Sequence, residues 1–158
     1  MNKIEYKNIY VDMDNTIAKF SEGVLEMSGY TIDQLKEMGE WDSKKREMYS
    51  NKIFETLKPT KLVKLLKNNI GKFKILSSVG YYESEMVIQQ KIKWLNEIFG
   101  ENIEYIFVSK SHHKAEYAAN SILIDDREVA LEPFIENGGY GIKYDDSDEV
   151  IEVIKNLF

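Results

Sequence analysis

Ile9-Tyr10-Val11 is a short apolar run that ends in Asp12-Met13-Asp14-Asn15-Thr16. Such a run reads as a buried strand that delivers its last residues to one end of a sheet. Residues i and i+2 of a strand share a face, so Asp12 and Asp14 start out side by side, at the end where open α/β sheets keep their active sites. Two carboxylates that close repel each other unless a cation or a shared proton relieves them. The same residues would also suit a solvated turn. The choice between turn and site rests on the remainder of the chain.

The remainder alternates. The first strand covers 7–13. Phe73–Ser78, Tyr105–Val108, Ser121–Ile124 and Tyr140–Tyr144 are further short apolar runs, and helical patterns separate them. Glu83–Phe99 is the longest, with Met86, Ile92, Leu95 and Phe99 among its apolar positions and Gly100 behind it. Lys61–Asn69 closes on Gly71, and a short helix is expected over Lys114–Ala119. Arg127–Glu136 reads as helical in spite of Pro133, Gly138-Gly139 turns the chain, and Asp146 or Ser147 caps a last helix through Leu157. This order predicts an α/β fold, a doubly wound parallel sheet covered on both faces. Residues 18–57 interrupt the alternation. Thr31-Ile32-Asp33-Gln34 is a capping-box signature for a helix that Gly39 ends, and a second helix is expected from about Asp42 to Leu57, stopped by Pro59. The interruption predicts a small helical cap over the strand ends (18–57), inserted into a core of 1–17 and 58–158.

The chain has 158 residues, which suits one domain with such an insertion. Its formal net charge is −6, and its 21 Lys and Arg residues are scattered, which argues against duplex nucleic acid as a partner. The absence of cysteine excludes disulfides, thiolate catalysis and cysteine–zinc sites, and fits a reducing compartment. With no apolar run near the ~18 residues a membrane span needs and no leader pattern, the expectation is a soluble, cytoplasmic protein without a membrane partner.

Several polar residues fall at the expected C-terminal ends of strands: Asp12 and Asp14, Ser77 and Ser78, and Asp125 and Asp126, with Lys114 just beyond the strand ending at Val108. Singly, each has a plain structural reading as a cap, a turn or a solvated lysine. Together they converge on one sheet edge. Carboxylates with oxygen-rich surroundings suit a hard divalent ion, Mg²⁺ above all, which would relieve their crowding and hold a phosphate oxygen. A carboxylate kept ionised can attack phosphorus, while a second carboxylate trades protons with the leaving alkoxide and the incoming water.

The ordered set Asp12-Met13-Asp14-Asn15-Thr16, Ile75-Leu76-Ser77-Ser78, Lys114 and Ile122-Leu123-Ile124-Asp125-Asp126 resembles the four motifs of the haloacid dehalogenase superfamily of phosphohydrolases. The resemblance implies Asp12 as nucleophile and Asp14 as general acid/base, the latter also lending its backbone carbonyl to Mg²⁺. It implies that Ser77, with Ser78, binds the transferring phosphoryl group, that Lys114 neutralises it, that Asp125 ligates the metal, and that Asp126 orients metal-bound water. A finer similarity is to the 5'(3')-deoxyribonucleotidase branch, whose small cap follows the first motif. Phe20 matches an aromatic eight positions beyond the nucleophile that packs on the nucleobase in that branch, and Trp41 is a second candidate. Members of that branch often carry an arginine just before the motif lysine. This chain has Lys110-Ser111-His112-His113-Lys114, so His112 is the candidate for that contact. The implied substrate is a small phosphorylated molecule, a nucleoside monophosphate; a sugar phosphate or a nucleic-acid 3'-phosphate end keeps the same chemistry. A phospho-accepting receiver domain uses similar residues, but there the acidic pair comes first and the nucleophile stands alone mid-chain, the reverse of the order here.

Overall fold

The computed structural model describes residues 5–158. The elements run β1 (Asn8–Val11), α1 (Phe20–Ser28), α2 (Ile32–Glu37), α3 (Trp41–Ser50), α4 (Ile53–Thr56), α5 (Leu62–Lys67), β2 (Lys74–Ser78), α6 (Ser84–Phe99), β3 (Tyr105–Val108), a 3-10 helix (Ser111–Tyr117), β4 (Ser121–Asp125), α7 (Glu128–Glu136), β5 (Tyr140–Lys143) and α8 (Asp148–Lys155). All five strands are parallel, in the order β3-β2-β1-β4-β5. The chain therefore winds outward first on one side of β1 and then on the other. The switch point lies between β1 and β4, and ligands of open α/β sheets bind at such points.

The pleat sorts the core into two layers. Tyr10, Leu76 and Leu123 face one side, where Ala130, Leu131 and Phe134 of α7 and Ala118 cover them. Val11, Ile75, Ile122 and Ile124 face the other, under Val87, Trp94 and Leu95 of α6, Leu62 and Leu66 of α5, and Ile154 of α8. Pro133 sits inside α7 without breaking it. The carbonyl it leaves without a partner belongs to Val129, which is exposed, so water can satisfy it.

Helices α1 to α4 pack on one another, and α4 packs against α6. The segments that lead into and out of them run side by side: Lys19 N–H donates to Lys58 O (2.9 Å), Thr60 N–H to Ile17 O (2.8 Å), and the Thr60 hydroxyl to Thr16 O (2.6 Å). Gln90 of α6 fastens this helical group. Its amide nitrogen donates to Tyr49 O (2.7 Å), and its oxygen accepts from Phe54 N (3.3 Å). Trp94 Nε1 adds a bond to Leu57 O (2.8 Å). Phe20, Val24, Leu35, Met48, Ile53, Phe54 and Leu57 continue the apolar cluster of the sheet into these helices, so the two regions share one core.

The capping box forms as its sequence predicts. Thr31 Oγ1 accepts from Gln34 N (3.1 Å), and Gln34 Oε1 accepts from Thr31 N (2.9 Å). Ser147 caps α8, accepting from Val150 N at 3.2 Å. Two expectations change. The helix expected over 42–57 is two helices, α3 and α4, because Lys52 takes a left-handed conformation (φ 60°) between them. The helix expected at Lys114–Ala119 is a 3-10 helix that begins at Ser111. On α6 the fully buried residues are Val87, Gln90, Lys91, Trp94 and Leu95, with Met86 and Ile92 half-buried. No helix among the described residues is long and apolar enough to cross a membrane.

Candidate active site

The C-terminal ends of β1, β2 and β4 meet α3 and α4 around a cleft of about 480 Å³, within the range of small-molecule sites. Beyond β1 the chain turns sharply. The amides of Thr16, Ile17 and Ala18 all donate to Met13 O at 2.9–3.1 Å, and Asn15 is left-handed (φ 61°), a conformation asparagine tolerates. The Asn15 side chain accepts from Ser21 N (2.9 Å), which ties the turn to α1. Asp12 and Asp14 are thereby fixed at the cleft floor.

Two buried ammonium groups organise the carboxylates. Lys114 Nζ lies 2.7 Å from Asp12 Oδ1 and 2.7 Å from Asp125 Oδ2. It reaches them because three residues complete one turn of a 3-10 helix, so Ser111 and Lys114 share the inward side. Lys91 Nζ donates to Asp14 Oδ2 (3.0 Å), Ser77 Oγ (2.9 Å) and Ser78 O (3.0 Å), and it sits 4.9 Å from the Phe54 ring centroid. An ammonium has three protons, and all three are used here. No sequence motif points to Lys91. Its signal is its place: it is only 1% exposed, within the buried stripe of α6, where a lysine stays charged only beside a counter-charge.

The fields at the two leading aspartates differ. Burial alone would raise the Asp12 carboxyl, but the Lys114 ammonium, followed by Lys91, outweighs it and holds the group below its ordinary range. At Asp14 burial dominates, Asp12 adds to it, and Lys91 only partly offsets them, so the group is pushed up. Asp14 Oδ1 is buried and has no hydrogen-bond partner. Burial, then the nearby Asp12 charge, raises Asp125 to about 6, while burial with both Asp12 and Asp125 raises Asp126 to about 8. The Thr16 hydroxyl lies 3.2 Å from Asp12 Oδ2 and 3.5 Å from Asp126 Oδ1, between the two carboxylates.

Asp12, Asp125 and Asp126 each offer a carboxylate oxygen within 4.8 Å of the others. With Asp14 they make four carboxylates against two ammonium groups, an excess of two formal negative charges at the floor. A hard divalent cation matches both that charge and the all-oxygen donors. The raised carboxyls give a measurable consequence. A carboxyl with a folded-state value above its unfolded one favours the native state only while protonated. Metal-free protein should therefore lose stability as pH rises from about 4 toward about 8. Added Mg²⁺ should raise Tm more at the upper end of that window than at the lower, as thermal melts would read. An equal Mg²⁺ effect at both ends would contradict the crowding.

The remaining candidates separate. Ser78 lines the cleft, and its hydroxyl lies 3.4 Å from Ser111 Oγ, to which Arg127 donates. Ser77 is buried, faces Lys91 and does not line the cleft. Phe20 and Trp41 both line it. One face of Phe20 is taken by Phe54, stacked at 5.4 Å, and Lys45 sits 5.7 Å over Trp41. Tyr49 and Phe54 complete an aromatic wall. His112 is exposed, lies against His113, and is not among the lining residues. Lys110, ahead of the 3-10 helix, and Arg127, on the loop behind Asp126, line the cleft there instead.

No protein-family model matches the sequence, and no curated protein matches it either. Solved structures do match the fold. A haloacid dehalogenase-like family hydrolase from Xanthomonas campestris superposes with a TM-score of 0.59 at 13% identity, over 99% of this chain and 94% of its own. One from Streptococcus pneumoniae gives 0.59 at 11% identity, over 94% and 90%. A HAD family hydrolase from Deinococcus radiodurans, solved with bound phosphate and sodium, gives 0.52 at 11% identity, over 88% and 80%. The chain has the Rossmann-like α/β fold of the haloacid dehalogenase-like hydrolases, built on a five-stranded parallel sheet.

Proposed function

We propose that the protein is a Mg²⁺-dependent phosphomonoesterase that hydrolyses a nucleoside monophosphate through an aspartyl-phosphate on Asp12. The observation that carries this reading is the opposite treatment of two carboxylates two residues apart. Asp12 is held ionised beside Lys114, and Asp14 is pushed toward its protonated form with Oδ1 unpartnered. Titratable groups whose environments drive them apart are the mark of a nucleophile and an acid/base working together.

The steps follow from those states. An Asp12 carboxylate oxygen attacks phosphorus, the ester P–O bond breaks with its electron pair leaving on the alcohol oxygen, and Asp14 supplies the proton that oxygen needs. Asp14, now ionised, takes a proton from water as that water attacks phosphorus, and the bond to Asp12 breaks to return both carboxyls to their starting forms. Lys91 keeps Asp14 Oδ2 engaged and leaves Oδ1 for the proton. Ser78 takes the phosphoryl contact at the cleft surface, and Lys114 keeps the carboxylates it bridges anionic. Mg²⁺ would be held by Asp12, Asp125 and Asp126 with the backbone carbonyl of Asp14, and when bound it would polarise a phosphate oxygen and offset the crowded negative charge. The phosphate and sodium bound to the Deinococcus radiodurans hydrolase support an anion and a cation on this fold.

The helices α1 to α4 act in this reading as the cap that closes over substrate, with the aromatic wall of Phe20, Trp41, Tyr49 and Phe54 facing the leaving group. A flat nucleobase suits such a wall. Phosphate release across a panel of nucleoside monophosphates and sugar phosphates tests the assignment. The expected result is turnover of nucleotides that requires Mg²⁺ and is abolished by chelator. A preference for sugar phosphates would overturn the nucleotide, and no Mg²⁺-dependent release from any ester would overturn the phosphatase.

A further inference from the structure

The charges lining the cleft are layered. Its carboxylates are Asp12, Asp14 and Asp126, all at the floor, where Lys91 is committed to Asp14. Every other charged lining residue is a cation: Lys36 from α2, Lys45 from α3, Lys110 ahead of the 3-10 helix, and Arg127 ahead of α7. Among the described residues Lys36, Lys110 and Arg127 have no carboxylate in ion-pair contact, and Lys45 has only the exposed Asp42 at 3.7 Å. Lys110 instead rests on the Tyr81 ring, and Arg127 donates to Ser111. Two of the cations come from the helical group and two from the sheet side, and all four line the same cleft. The chain as a whole carries −6. A rim of one sign in an acidic protein marks what enters.

We propose that the substrate carries a second phosphate, remote from the one hydrolysed, and that Lys36 and Lys45 with Lys110 and Arg127 form its subsite. This rests on the phosphomonoesterase reading and changes its substrate from a monophosphate to an ester with two separate phosphates. The scissile phosphate already has partners at the floor, in Ser78 and the cation site. Four more cations have no task in hydrolysing a single phosphate, whereas a dianion among them gains charge-assisted hydrogen bonds. The aromatic residues that share the cleft with them would hold the body of the substrate between its two anionic ends.

The test compares two pairs of esters on the Mg²⁺-loaded protein, adenosine 5'-monophosphate with adenosine 3',5'-bisphosphate, and a hexose monophosphate with its bisphosphate. Para-nitrophenyl phosphate serves as reference ester. The bisphosphate of one pair should show a KM lower by about tenfold, and which pair does so identifies the source of the second phosphate. In Lys36→Met/Lys45→Met protein, and in wild-type protein at high salt, the ratio between the members of that pair should collapse toward one. Hydrolysis of para-nitrophenyl phosphate with both pairs showing equal KM would overturn the second-anion site and leave the phosphatase standing. Titrating the same pairs into Asp12→Asn protein with Mg²⁺ reads the preference without turnover. Equal affinities there overturn the proposal whether or not any ester is hydrolysed.

Discussion

Asp12→Asn protein should fold like the wild type and lose turnover by about 10⁴-fold or more in kcat, the scale expected when a nucleophile is removed. Asparagine keeps the volume of the side chain and one oxygen, and Lys114 keeps Asp125 as a partner at 2.7 Å. Folding therefore has little reason to suffer, while the oxygen that must carry negative charge to phosphorus is gone. Phosphate release gives the rate, and circular dichroism with thermal melts gives the fold. Activity within tenfold of wild type would remove Asp12 from the chemistry.

Lys114→Met carries the largest expected loss of stability. Lys114 is 1% exposed and bridges two carboxylates that are themselves buried. Removing one partner of a buried ion pair leaves uncompensated charge and costs about 3–5 kcal/mol. Urea denaturation without metal should show that loss, and Mg²⁺ should recover part of it, because a cation at Asp12, Asp125 and Asp126 replaces some of the missing positive charge. Lys58→Met is the contrast. Lys58 pairs with Glu22 and Glu26 on the exposed surface and should change stability little. Equal losses in the two variants would contradict the organising role given to Lys114.

The alternation of strands and helices, and the carboxylates at the strand ends, could be read from the sequence because both are set by short-range pattern: an apolar run, its carboxylates, and helical spacing between runs. What could not be read depends on how elements meet. Ser77 and Ser78 look equivalent in the chain, but successive strand residues point to opposite faces, so one goes to Lys91 and the other to the cleft. His112 and Ser111 are neighbours, and the phase of the 3-10 helix decides that Ser111 turns inward with Lys114 while His112 faces solvent. Lys91 breaks the apolar pattern of α6 at a core position. A lysine there could have been suspected from the periodicity, but its partners Asp14 and Ser77 lie 77 and 14 residues away. The division of α3 from α4 rests on one left-handed residue, Lys52, of a type that gives no local warning.

Covalent capture of phosphorus by Asp12 is the central step of the proposed hydrolysis. The direct measurement is to quench the Mg²⁺-loaded protein with acid during turnover, reduce with borohydride, and locate the product by peptide mass spectrometry. An acyl phosphate reduces to homoserine, so the predicted result is homoserine at position 12 alone, appearing only with substrate. Homoserine at position 14, 125 or 126, or an unaltered Asp12 in protein that turns over rapidly and accumulates label elsewhere, would contradict it.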